Sequence, residues 1–301
     1  MDILAYQLSA PLARCPFTAQ VERALWAGLH ADRLAYAFVG GYGAALAQLL
    51  ARAPRPFPAR LSLCATEAGG AHPRQIATRL GEEAGRLVLV GEKTFATLAT
   101  IAEALLVVAS RGASGDGWNR RCLVRVTPNA EGVEIVERPP LPFAPELPHA
   151  QVRLRGVVVD DADVLPGDGY DDYLKPFRTL EDTHVLAATV GYLIGVARAH
   201  GFDRGIVTEL SSLAASLVDL AARPPSEPLT HRLRLVCPGD GREKAELTRV
   251  GSASSHLTHL TQRCAMLSSW EPRTCPAPGR RTPTRTWPRL RACRAASRRD
   301  R

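Results

Sequence analysis

Between residues 60 and 159, six short runs rich in Val, Leu and Ile fall at 60–65, 86–90, 105–109, 122–126, 133–137 and 151–159, separated by Gly, Pro, Asn and Asp. Apolar runs of this length, bounded by turn residues, read as strands. No long helical pattern lies between them, which argues for an antiparallel sandwich or barrel rather than a parallel sheet. Helical period flanks this block on both sides. Val21, Ala24, Leu25, Gly28, Leu29 and Leu34 recur at helical spacing before it, and Leu180, His184, Ala187, Ala188, Gly191, Ile194, Gly195 and Ala199 after it. The order predicts an α+β chain: N-terminal helices, a β-sandwich or β-barrel middle domain, then helices again.

Four segments follow. Residues 1–58 form a helical segment that Pro54, Pro56 and Pro58 terminate. Within it Gly40-Gly41-Tyr42-Gly43 interrupts the pattern. A phosphate-binding loop needs a strand before it and none precedes, so the run reads as a helix break or a tight helix–helix contact. Residues 59–170 are the β-domain. Residues 171–236 hold two helices: Gly201-Phe202-Asp203 turns the chain, and Leu210, Leu213, Ala214, Leu217, Leu220 and Ala221 form the second stripe of an antiparallel hairpin. Residues 237–301 form a tail in which Ser, Thr, Pro and Arg come to dominate without period, which reads as disorder. So abrupt a switch is also what a shifted reading frame produces.

The net charge of +8 sits in that tail. Residues 271–301 carry ten Arg and two acids, and the other residues balance at 28 basic and 28 acidic groups. A neutral body does not point to specific nucleic-acid binding; the tail alone offers a weaker alternative, attraction to nucleic acid or a membrane surface. No window reaches the roughly 20 consecutive apolar residues of a membrane span. The N-terminus, Met-Asp-Ile-Leu-Ala-Tyr, lacks a signal peptide's basic and apolar regions. Seven cysteines without a Cys-x-x-Cys fit unpaired thiols in a reducing compartment, so a cytoplasmic location is expected. His256, His259 and Cys264 lack a fourth ligand at suitable spacing, so no metal is expected.

Two stretches carry candidate chemistry. One is an apolar run ending in Thr66-Glu67-Ala68-Gly69-Gly70-Ala71-His72; the other is Gly91-Glu92-Lys93-Thr94-Phe95-Ala96-Thr97. Glycine lets backbone approach a flat polar ligand closely. On an extended segment Phe95 and Thr97 point to the same side, so one can stack on a ring while the other hydrogen-bonds its edge.

These stretches resemble the middle domain of the acyl-CoA dehydrogenases, where a Thr-Glu-Pro-Gly-x-Gly-Ser turn and a Gly-x-Lys-x-Trp-x-Thr segment hold the isoalloxazine of FAD. The resemblance extends to residues 101–109 and to 151–168, with Val157-Val158-Val159-Asp160 and Leu165-Pro166-Gly167, and covers roughly 30–222. It implies FAD held by Thr66, Gly69, Gly70, His72, Phe95 and Thr97, with Phe95 in place of Trp and His72 in place of a small hydroxyl residue. It implies a helical bundle after the β-domain, of which residues 171–236 supply an incomplete part. It implies oxidation of an acyl-CoA or similar acyl thioester at the α,β bond, with a carboxylate removing the α-proton, electrons passing to an acceptor such as an electron-transfer flavoprotein, and a homo-oligomer. The base of one branch of the family lies in the first turn of the first bundle helix, just before a Val-Leu-Ala run. Here that turn offers Glu181 and Asp182; counting back from Val185-Leu186-Ala187 favours Asp182, with Thr183 where an Arg usually follows. Acidic residues in a helix's first turn also serve the helix dipole without any catalytic role. The Arg-x-x-Phe-Gly and Gln-x-x-Gly-Gly segments that reach the adenine half of FAD are not found. The alternative is a non-catalytic relative, a subunit or binding module that keeps the fold and has lost full flavin and substrate sites.

Overall fold

The computed structural model describes residues 3–7, 10–70, 72, 75–113 and 119–222. Four helices open the chain: α1 (Ile3–Gln7), α2 (Ala10–Ala13), α3 (Gln20–Leu29) and α4 (Leu34–Leu49). The sequence of α4 is apolar all round, and a helix of that kind is stable only when covered on every side. Its residues Leu34, Tyr36, Val39, Tyr42 and Leu46 are all buried. The expected interruption at residues 40–43 does not occur, and α4 runs through it. The tight contact is real: a Cβ on Gly41 would lie 2.6 Å from the Val185 Cα.

Seven strands follow: β1 (Leu61–Cys64), β2 (Arg79–Glu83), β3 (Arg86–Thr97), β4 (Ala104–Ala113), β5 (Asn119–Val126), β6 (Val133–Glu137) and β7 (His149–Val159). They join one sheet in the order β1-β4-β2-β3-β7-β6, with β5 also on β4. The expectation of antiparallel pairing fails at two of the pairings of β4, one of them a parallel contact with β2 at Arg79 and Ser110. β1 runs parallel to β4, with Leu61 opposite Ala104 and Cys64 opposite Val107. The physical reason is burial: every residue of β1 is buried, and a strand covered on both faces suits a parallel partner. β2 escaped the sequence reading because Leu80 alone of its residues is buried.

β4 divides the interior by simple alternation. Leu106 and Val108 face the helices, packing with Tyr42, Leu63 and Phe177. Leu105, Val107 and Ala109 face the other side, with Cys64, Leu89, Val124 and Val152. A third cluster lies among the helices, where Val21 and Ala24 meet Ala187, Ala188 and Leu217.

A π-helical turn over Gly169–Leu174 leads into α5 (Lys175–Ala199), and α6 (Arg204–Ala221) returns after Gly201. The Asp168 carboxylate starts this unit by accepting from the N–H groups of Tyr170 (2.8 Å) and Asp171 (2.9 Å), and Arg121 clamps it from β5 at 3.1 Å. Asp168 therefore caps the start of this helical unit. The small-residue stripe of α5 lets it lie close to α3: a Cβ on Gly28 would fall 1.8 Å from the Ala188 carbonyl oxygen, and one on Gly191 2.2 Å from that of Leu25. Among the described residues no helix is long and apolar enough to cross a membrane. The helical pattern expected up to residue 236, the tail, and His256, His259 and Cys264 lie outside the described residues.

Candidate functional site

The two motif stretches meet. Thr66 and Phe95 form an antiparallel β-bridge, and the Thr94 N–H donates to the Thr66 carbonyl at 2.9 Å. After Thr66 the chain turns sharply: Glu67 and Gly70 exchange backbone hydrogen bonds of 3.0 and 2.9 Å, with Gly70 at φ +104°. That positive φ is costly for residues with a side chain, so the position calls for glycine.

Beneath the turn lies an ion pair to which the sequence reading gave no role. Lys93 Nζ is 2.6 Å from the Glu67 carboxylate, with the lysine side chain 0% and the glutamate 7% exposed. The Lys93 ammonium also donates to the Val108 carbonyl (2.6 Å), and the Glu67 carboxylate accepts from the N–H groups of Ala77 (2.7 Å) and Thr78 (3.1 Å). Burial opposes both charges. At Glu67 the ammonium and the backbone donors outweigh it, holding the carboxyl below its ordinary range. At Lys93 burial wins and the ammonium is pulled below its ordinary value. Lys93 and Ala96 both face the sheet interior although three residues apart, which a regular strand forbids. The register shift between them along β7 permits it and leaves Phe95 and Thr97 on the other face.

Phe95 and Thr97 line a cavity of ≈ 400 Å³ bounded by α4, α5, the end of β7 and the segment 141–147. The Phe95 ring lies 4.3 Å from that of His149, centroid to centroid, and the Arg138 guanidinium is 5.6 Å from its centre. His149 is the cross-strand neighbour of Thr97 and is 5% exposed. Its Nδ1 is 3.0 Å from the Leu147 carbonyl. A carbonyl only accepts, so Nδ1 carries the proton and Nε2 a lone pair. Burial, reinforced by Arg138, pulls the imidazole below its ordinary pKa and keeps it neutral. His149 had no place in the sequence reading.

From α5 both Glu181 and Asp182 line the same cavity, although helix neighbours point about 100° apart. The cavity spans that step. Neither carboxylate has a salt-bridge partner among the described residues. Burial, then the neighbouring Asp182 charge, push Glu181 up to about 7 against the opposing Arg178. Burial pushes Asp182 up to about 6, again against Arg178. These are the properties of carboxyl groups able to exchange a proton near neutrality.

Of the sequence candidates, then, Phe95, Thr97, Glu181 and Asp182 share one cavity. Thr66 stands beside it through its bridge to Phe95. Gly69, Gly70 and His72 are not on its wall, and His72 is exposed. A groove of ≈ 430 Å³ under residues 53–59 contains no carboxylate or histidine, and its Arg55 is already paired with Asp163 at 2.7 Å. Chemistry therefore points to the first cavity. Among the described residues no group of His, Cys, Asp and Glu could hold a metal ion.

No protein-family model and no curated protein matches the sequence. Solved structures do match in fold. A FAD-dependent dehydrogenase aligns with TM-score 0.59 at 15% identity, over 89% of this chain and 80% of its own. The prolyl acyl carrier protein oxidase AnaB gives 0.57 at 14%, over 88% and 84%. The acyl-CoA dehydrogenase from Geobacillus kaustophilus gives 0.56 at 12%, over 83% and 71%. The chain has the fold of these acyl-CoA dehydrogenase-like proteins.

Proposed function

We propose that the protein is an FAD-dependent oxidoreductase acting on the CH–CH group of an acyl-CoA or similar acyl thioester. One observation carries the reading: two carboxylates without an ion-pair partner, Glu181 and Asp182, share a cavity wall with Phe95 and Thr97. The ring end of FAD suits these residues. The hydroxyls of Thr66 and Thr97 have no hydrogen-bond partner among the described residues, and Phe95 is bridged to Thr66 and stands two residues before Thr97. Bound there, the flavin would supply the hydride acceptor for the substrate β-carbon.

The chain's own residues supply position and base. Thr66 and Thr97 would donate to the polar edge of the ring, with Phe95 packed against it. Gly69 and His72 would meet the pyrophosphate. Gly70 serves the turn itself, because its N–H is already given to the Glu67 carbonyl. Asp182, its pKa raised by burial against the opposing Arg178, would take the α-proton of the substrate onto a carboxylate oxygen, with Glu181 beside it on the same wall. A base is most effective when its pKa lies near the working pH, and burial brings both groups into that range. Phe38, Phe143 and Val185 supply apolar wall, which keeps water from the reacting carbon. Electrons would leave to an electron-transfer flavoprotein or another acceptor, and a cytoplasmic homo-oligomer belongs to the same proposal.

A specific observation favours a second reading, a non-catalytic relative with a poor hold on flavin: the Gly69-Gly70 turn and His72 lie off the cavity wall. The visible spectrum of the purified full chain separates the two. Bound-flavin absorbance that bleaches on anaerobic addition of an acyl-CoA supports the enzyme. A colourless protein that takes up no FAD on reconstitution rejects it.

A further inference from the structure

The cavity holds more acceptor chemistry than removal of an α-proton requires. One carboxylate suffices as base, and Asp182 fills that role in the reading above. Glu181 is then left over on the same wall with no cation paired to it among the described residues. Independently, His149 is more than nine-tenths buried, faces the cavity, and has its proton committed at Nδ1 to the Leu147 carbonyl. Its Nε2 lone pair has no donor among the described residues. Two anionic groups and a bare imidazole nitrogen make a wall that attracts a cation or an N–H donor and disfavours a purely hydrocarbon occupant. Among the described residues the protein's own cations stay off this wall: Arg178, whose charge acts on both carboxylates, forms no ion pair with either and does not line the cavity, and Arg138 lies over Phe95 and gives Nη1 to the Thr94 carbonyl at 2.9 Å.

We propose that the acyl group taken by this cavity carries an amine, so that the ligand is an aminoacyl thioester whose ammonium is held by Glu181 and His149. The proposal rests on the acyl-thioester reading and adds the class of acyl group. The raised pKa of Glu181 is what an anionic site shows before its cation arrives, and the ammonium restores the charged form. The remaining walls, Leu34, Phe38 and Val185, suit a small apolar side chain.

Two isosteric probes test it: the alanyl and isobutyryl amides of aminopantetheine, which differ by an ammonium in place of a methyl group and cannot react. Titration calorimetry on the full chain at pH 8 reads binding without turnover. The alanyl amide should bind about tenfold more tightly or better, the difference one charge-assisted hydrogen bond makes. Glu181→Gln and His149→Phe should each bring the two affinities to within about threefold of one another, while His149→Gln, which keeps an acceptor, retains part of the preference. Should Glu181→Gln fail to fold, the two His149 variants give the same answer. Equal or tighter binding of the isobutyryl amide overturns the amine proposal and leaves the acyl-thioester reading standing. Failure of both amides to bind overturns both. A preference that survives in Glu181→Gln and in His149→Phe also overturns the proposal.

Discussion

Lys93 and Glu67 lie 26 residues apart in the chain and 2.6 Å apart in space, with no exposed surface on the lysine. The pair pins the turn after Thr66 onto β3, so it fixes where Thr66 and Phe95 stand. Removing one partner of a buried pair leaves an uncompensated charge, at a cost of roughly 3–5 kcal/mol. Lys93→Met should therefore lower stability in urea unfolding by about that much. The double variant Lys93→Met/Glu67→Gln should recover part of the loss. Additive losses would mean that the two groups do not act as a pair. The acid side has a definite sign. The Glu67 carboxyl is held below its ordinary value of 4.5, so its contribution is present above that value and disappears as pH falls through the lowered one. Lys93→Met should flatten this acid-side loss.

Glu181 and Asp182 show the opposite linkage. Their pKa values rise from 4.5 to about 7 and from 3.8 to about 6. The folded state then binds protons more tightly than the unfolded chain, so stability falls as pH rises from about 4 through 7. Glu181→Gln should therefore stabilise the protein at pH 8 and have little effect at pH 4. One pKa unit corresponds to about 1.4 kcal/mol. Both side chains reach the water of an open cavity, so after screening the gain should be about 1–2 kcal/mol. If Asp182 is the base, Asp182→Asn abolishes turnover, and in the wild type the rate rises with pH through about 6. Urea melts at both pH values and a pH–rate profile check this. A Glu181→Gln variant less stable at pH 8 than at pH 4, relative to wild type, contradicts it.

The parts legible in the sequence were those set by local period. The runs at 86–90, 105–109 and 133–137 became β3, β4 and β6 because apolar residues clustered there must be covered, and the stripes of residues 180–199 and 210–221 became α5 and α6 for the same reason. β2 was invisible because hydrogen bonding to β3, with Leu80 opposite Leu89, holds it in place rather than apolar burial. At the site, Phe95 and Thr97 were legible from their spacing. His149 was not: nothing in residues 147–149 marks it, and it reaches Thr97 only through the register of β7. Lys93 and Glu67 stood inside the motifs, yet their pairing depends on a register shift in β3 that no periodicity reveals. A charged residue flanked by apolar strand was the available signal.

The helix crossings give a test that separates propensity from packing. Gly→Ala inside a helix gains about 0.8–1 kcal/mol from propensity alone. At Gly43, where a Cβ would meet nothing within 4 Å, that gain should appear. At Gly28 the new methyl would sit 1.8 Å from the Ala188 carbonyl oxygen, so α3 and α5 must separate. Overpacking of this kind costs roughly 1–3 kcal/mol, more than propensity returns. Thermal unfolding should show Gly43→Ala stabilised and Gly28→Ala destabilised. A stabilised Gly28→Ala would show that the α3–α5 contact is looser than described.

Thr97 gives the most direct test of the flavin site. Its hydroxyl has no partner among the described residues, while its backbone carbonyl accepts from the Ser62 hydroxyl at 2.7 Å. Replacing Thr97 with Val keeps the shape and β-branching that suit a strand and leaves the carbonyl contact intact. Fold stability should stay nearly unchanged, because no protein hydrogen bond is lost. If the hydroxyl holds the ring of FAD, one bond worth about 0.5–1.5 kcal/mol disappears and affinity falls roughly two- to tenfold. Thr66→Val should act in the same direction, and the two losses should add only in part, because Thr66 and Phe95 share a bridge. Flavin release followed by fluorescence, beside a thermal melt of each variant without flavin, separates the effects. Unchanged flavin affinity in both variants, with unchanged melting, would remove Thr66 and Thr97 from the site and leave Phe95 as a core residue stacked on His149.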